Sequence, residues 1–177
     1  MQWGYDGVAP ELANILPDGI MAPALQKVIR TCPDVTWLIK WHPVQLRDPD
    51  CFRRVRNYIK TNLSTPANHV VDIDLDPIQD ALAMSDLMIT MCSMAVYEAA
   101  AQGVPSLALC PSLKKGGVYE KYFQDLEKEG ILKKARMRAI DIRAAIFSRF
   151  ASRRSKRRTL RAPELHLLVE RLLIEDV

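Results

Sequence analysis

The sequence lacks most of the patterns that announce a chemistry. Its four cysteines, Cys32, Cys51, Cys92 and Cys110, are scattered with no Cys-x-x-Cys pair. That excludes a zinc framework or a disulfide scaffold and leaves the reducing cytosol as the expected compartment. Cys92 and Cys110 lie among apolar residues and read as small buried hydrophobes. There is no G-x-G-x-x-G and no G-x-x-x-x-G-K-[ST], so the nicotinamide-dinucleotide and P-loop classes lose their main support. The absence of G-x-S-x-G argues against an α/β-hydrolase. Long apolar runs are missing as well. The richest stretch, residues 81 to 110, is interrupted by Ser85, Asp86, Ser93, Glu98, Gly103 and Pro105. A transmembrane helix, which needs about 18 or more apolar residues in a row, is not expected. The opening "MQWGYDGVAPEL" has no basic segment followed by an apolar one, so a signal peptide is not expected either.

What is present suits one folded domain. The chain has 177 residues, 49% of them hydrophobic, and a formal net charge of +4. This length supports a core of its own. Short apolar runs recur at "DVTWLIKWHP" (34 to 43), "HVVDID" (69 to 74), "DLMITMC" (86 to 92) and "PSLALC" (105 to 110). Continuous runs of this kind suit strands covered on both faces, as in parallel sheets. Helical patterns separate them at 21 to 32, 48 to 60, 76 to 86, 93 to 103 and 118 to 130. Asp-Pro starts at two of these helices and Gly stops at Gly103 and Gly130 mark their ends. Beyond residue 135 the pattern gives two helical segments, 137 to 152 and 161 to 174, and no further strand.

The alternation predicts an α/β fold: a doubly wound, mainly parallel Rossmann-like sheet with helices on both faces and extra C-terminal helices. Residues 1 to 135 form the expected domain and 136 to 177 a helical extension packed on or beside it. Residues 1 to 20 read as the tail of a first strand and a loop with Gly4 and Gly7, as though the chain were half of a longer polypeptide.

In such a sheet, ligands bind beyond the carboxyl ends of the strands. Ser93 is a candidate helix cap at one of those corners, where free N–H groups favour an anion. Glu98 follows five residues later, about 7 Å along the helix axis. A carboxylate there is placed to accept hydrogen bonds from ribose hydroxyls, although a plain cap and a solvated glutamate explain the same spacing. His42 ends its strand beside Pro43, and Lys114 and Lys115 precede two glycines in "SLKKGGVYEK". The "DIDLD" run (Asp72, Asp74, Asp76) fits a turn better than a metal site.

"LIKWHP" followed by "SDLMITMCSMAVYEAAAQGVPSLAL" resembles the C-terminal, nucleotide-sugar-binding half of GT-B glycosyltransferases, most of all the bacterial capsule, lipopolysaccharide and sialyltransferase-type members. Their motif, an Asp-hydrophobic strand, a Ser/Thr corner and E-A-x-x-x-G-x-P, reads here as Ser85-Asp86, Cys92-Ser93-Met94 and Glu98-Ala99 to Gly103-Val104-Pro105. The resemblance covers about residues 1 to 130 and implies transfer of a sugar from a nucleotide-sugar to a glycan or lipid-linked acceptor. It implies Glu98 on the donor's ribose, Ser93 and Met94 at its phosphate, and Gly4 and Lys114 on the phosphate side. His42 would meet the leaving group as the catalytic residue. The donor would be UDP- or CMP/CDP-linked, with no tightly bound cofactor and no metal assigned. An acceptor-binding N-terminal half or partner chain would complete the enzyme. One departure is the lack of a second hydroxyl beside Ser93. Two relatives of the same architecture fit less well. Non-hydrolysing UDP-GlcNAc 2-epimerases carry two glutamates at the corner, and teichoic-acid glycerophosphotransferases carry "D-Y-S-S".

Basic residues concentrate between 133 and 161, ending in "RFASRRSKRRTLR". Aromatic interleaving is limited to Phe147 and Phe150, which argues against nucleic acid. Residues 143 to 161 instead suit peripheral contact with an anionic membrane on the cytoplasmic side, or a solvated helical face.

Overall fold

The computed structural model describes residues 20–41, 49–73 and 77–148. The fold is mixed α/β, with two short parallel sheets and helices between their strands.

Helix α1 (Pro23–Thr31) starts on a proline, whose fixed φ and missing N–H cost nothing in the first turn. It buries Leu25, Val28 and Ile29, the stripe expected from the sequence. Strand β1 (Thr36–Ile39) pairs in parallel with β2 (His69–Asp72), with Trp37 opposite Val70. Between them, α2 (Pro49–Tyr58) runs into a π turn at Ile59–Leu63. The sequence stripe of Cys51, Val55 and Ile59 is only partly realised. Val55, Tyr58, Ile59 and Leu63 are buried, while Cys51 is half-buried. The wider π turn brings Leu63 onto the core side. Asn68 then fastens the region: its amide donates to the carbonyls of Leu63 (2.8 Å) and Ile29 (3.1 Å), and its oxygen accepts from the Thr65 N–H.

The second sheet has three parallel strands in the order β3 (Met88–Thr90), β4 (Ser106–Ala108), β5 (Leu132–Lys134). Short helices α3 (Ile78–Ala83) and α4 (Ala95–Ala101) flank β3. Central β4 is buried at every residue. Helix α5 (Gln124–Lys128) leads into β5, and α6 (Ala139–Ile146) returns to pack on α1. One hydrophobic cluster links both sheets, joining Ile39 and Trp41 to Leu107, Leu109 and Leu132, and it includes Ile142 and Ala145 of α6.

Two sequence expectations are corrected. The apolar-run pattern missed β5, a strand just three residues long with two lysines in it; its place is fixed by pairing with β4. The helix expected over 118 to 130 is confined to Gln124–Lys128. Phe123 adopts a left-handed backbone, φ 62°, which breaks the helix and buries its ring against Tyr97. The Gly stops hold. Gly103 and Gly130 both have φ 70°, and the N–H groups of Val104 and Ile131 reach back to Ala99 and Leu126. These are the bonds of a Schellman closure. The first strand and loop read at residues 1 to 20, most of the basic tail and the last helix lie outside the described residues, apart from Ile20.

Candidate functional site

Three loops leave the carboxyl ends of β3, β4 and β5 at one end of the second sheet. The first is the Ser93 corner. Thr90 ends β3 nearly fully buried, and Met91 follows it into the core. Ser93 Oγ accepts from the Ala95 N–H at 3.3 Å. The Val96 and Tyr97 N–H groups bond the carbonyls of Ser93 and Met94. Three donors at the start of α4 are therefore engaged within the corner itself. Met94 is the exposed first residue of the turn, with 65% of its surface open.

Successive residues on α4 face different neighbours. The Tyr97 hydroxyl donates to Asp125 on α5 at 3.1 Å, and its ring meets Phe123 edge-on. One residue on, about 100° around the helix, Glu98 turns to α3. It is exposed, and Gln79 Nε2 donates to its Oε2 at 2.8 Å. Gln102 closes the same seam by donating to the Gln79 carbonyl. The sequence places no base near Glu98, and its partner in the fold is this neutral amide. Beneath it, Leu82, Ala99 and Val104 form a small apolar cluster that seats α4 on α3.

Cys92 sits beside this corner. The β3–β4 register carries it alongside Cys110, whose N–H bonds the Met91 carbonyl. Burial, then the neighbouring Cys110, push the Cys92 thiol up to about 11, with Lys134 pulling the other way. It is a neutral thiol at physiological pH, and where the sequence reads both Cys92 and Cys110 as buried, only Cys110 is, with Cys92 half-buried.

The second loop carries Lys114 and Lys115, and it is a constructed turn. The Tyr119 N–H bonds the Ser112 carbonyl at 2.9 Å, the Gly117 N–H bonds the Lys114 carbonyl at 2.9 Å, and Gly116 takes φ 84°. Gly117 lies so close to Ser112 that an added Cβ would come within 2.3 Å of its carbonyl oxygen. Together with the residues after β5, this loop lines an open pocket of about 370 Å³. Its walls are Leu113, Lys114, Lys115, Glu120, Gln124, Glu127, Lys134 and Arg136. Burial, then the charge of Arg136, lower the Lys114 pKa.

Of the residues singled out from the sequence, Glu98 lies on α4, Met94 is its N-cap in place of Ser93, Ser93 sits one residue before that, and Lys114 belongs to the neighbouring pocket, which none of the three lines. His42 and Gly4 lie outside the described residues, as do Asp74 and Asp76 of the acidic run. Asp72 pairs with Arg56 at 3.6 Å. Sequence reasoning missed Lys134, Arg136 and Gln79. The pair of apolar residues directly after the Gly130 stop was the available sign of a strand that would bring Lys134 and Arg136 to this edge. No protein-family model, no curated protein and no solved structure matches this chain.

Proposed function

We propose that the chain is the donor-binding domain of a glycosyltransferase that transfers a sugar from a nucleotide-sugar to a glycan or lipid-linked acceptor. The observation that carries this reading is the placement of Glu98. It stands exposed on the helix that follows β3, at the carboxyl end of a parallel sheet, on a helix closed by Gly103 and returned through Val104 and Pro105 into β4. Strand ends of parallel α/β sheets are where nucleotides bind. A carboxylate held by one neutral amide keeps lone pairs for the two hydroxyls of a ribose. The Ser93 hydroxyl and the Met94 main chain would meet the adjoining phosphate, and Lys114 would face it from the next loop. His42, which follows Trp41 past the end of β1, is the residue this reading assigns to the departing phosphate. Positive charge fixed before the reaction stabilises the charge that develops on the leaving group.

The reading includes a finer architecture. In a doubly wound sheet the chain steps outward strand by strand on one side, then crosses back and steps outward on the other. The runs β1 to β2 and β3 to β4 to β5 are parallel sets of adjacent strands of this kind. They would be the two wings of one Rossmann-like sheet.

The test is thermal unfolding with UDP, CDP, CMP and GDP. A nucleotide at 100 times its dissociation constant adds about 2.7 kcal/mol of stability. A shift that disappears in Glu98→Ala supports the reading. No shift with any nucleotide, or one unchanged in Glu98→Ala, rejects it.

A further inference from the structure

The pocket past β4 and β5 gathers more positive charge than its own walls neutralise. Four cations, Lys114, Lys115, Lys134 and Arg136, line it against two carboxylates, Glu120 and Glu127. Both carboxylates are already engaged. Glu127 lies 3.1 Å from Lys134 Nζ, which also donates to the Glu120 carbonyl at 3.0 Å and is 10% exposed. The Glu120 carboxylate accepts from the Gly116 N–H at 2.8 Å, which locks the lysine turn. Asp141 of α6 draws on Lys114 from farther off, but its two oxygens are held by Arg138. Lys114, Lys115 and Arg136 therefore point at the pocket with no ion pair to a described residue. Like charges brought together around one pocket raise the free energy of the empty protein unless an anion offsets them.

We propose that this pocket is an oxyanion site that takes a phosphate group, held by Lys114, Lys115 and Arg136. The guanidinium offers a planar pair of donors to two phosphate oxygens, and the lysines add point charges. The pocket is open, and at about 370 Å³ it leaves room beside one phosphate for more of a ligand. Lys134 acts through Glu127 and the Glu120 carbonyl to fix the wall, as a positioning residue. The proposal shares Lys114 with the donor reading but rests on the pocket alone, because Glu98 does not line it.

Calorimetric titration of the full chain with pyrophosphate at low salt tests it. Saturable binding is expected, weakened about tenfold or more in Lys114→Gln and in Arg136→Gln. Lys114→Arg should retain it. Lys133→Gln removes the same charge from an exposed residue outside the pocket and should leave affinity within about twofold once general screening is matched. Glu98→Ala should also leave it unchanged, so loss of the donor reading and loss of this site are separate results. If Arg136→Gln fails to fold by circular dichroism, Lys114→Gln and its arginine counterpart decide. Displacement of pyrophosphate by UDP but not by glycerol phosphate assigns the phosphate to a nucleotide, and the converse assigns it to a phosphorylated acceptor. No saturable binding, equal weakening in Lys133→Gln and Lys114→Gln, or displacement by neither compound overturns the proposal.

Discussion

The corner after β3 and the pocket after β4 and β5 lie at the same end of one sheet, yet they are built differently. The corner satisfies itself. Its N–H groups bond its own serine and carbonyls, its carboxylate takes the Gln79 amide, and its thiol is held neutral. The pocket does not. Its carboxylates are engaged in shaping the turn, and three cations remain without ion-pair partners among the described residues. A site for a charged ligand is recognised by what the protein leaves unsatisfied, so the pocket makes the stronger claim on a phosphate and the corner on a neutral hydroxyl pair. The resemblance to glycosyltransferases implies the corner at both the ribose and the phosphate, with Lys114 on the phosphate side. Under the two proposals these duties would fall to two strand ends.

The comparison breaks most completely at β4, which serves both regions. Leu107 is fully buried on that strand, and Leu107→Ala should cost about 2–5 kcal/mol in urea unfolding and weaken both sites together. Intact pyrophosphate binding in a protein so destabilised would mean the pocket does not depend on the sheet.

Gly117→Ala should separate the two. The new methyl meets the Ser112 main chain, which has no flexible end to swing away, so the turn must shift at a cost of about 1–3 kcal/mol. Pyrophosphate binding should fall while any nucleotide effect that depends on Glu98 persists. Gly103→Ala is the matching change at the corner, and its cause is different. There is open space around the position, so its left-handed backbone alone sets a penalty of about 1–2 kcal/mol, read as a lower urea midpoint. Equal losses of pyrophosphate binding in the two alanine variants would erase the distinction between the regions.

The smallest effect has an informative sign. Burial and Arg136 lower the Lys114 pKa, so its charged form weighs against the folded state below that lowered value. The penalty fades as pH rises through the lowered pKa toward that of an unfolded lysine. Lys114→Gln should therefore raise stability slightly at neutral pH while weakening anion binding. It should also flatten the alkaline rise in stability. A variant less stable than the parent at pH 7 would show that Lys114 is satisfied within the fold.

Much of this end of the molecule is legible in the sequence, residue by residue. Gly103 and Gly130 announce helix stops because few other residues accept a left-handed backbone, and both stand there. The run up to Thr90 and the "SLAL" after Pro105 announce strands because no alternation interrupts them. Glu98 stands out because an alanine-rich helix has no local need of it. Phe123 was not legible, because its left-handed backbone goes with a ring packed edge-on to Tyr97, which is remote in sequence. Nor was the build of the loop around Lys114, with its two glycines. One of them admits a main-chain contact that any side chain would block.

The sequence by itself determined most of the alternation of strands and helices, the glycine helix stops and the residues with chemistry to offer, since these depend on propensities and periods within a few positions. Tertiary structure decided which of those residues meet. Parallel pairing in register sets β3, β4 and β5 side by side, and so puts Cys92 near Cys110 and Lys114 near Arg136. Distances across a sheet follow the hydrogen-bond register between strands, and separation along the chain carries no measure of that.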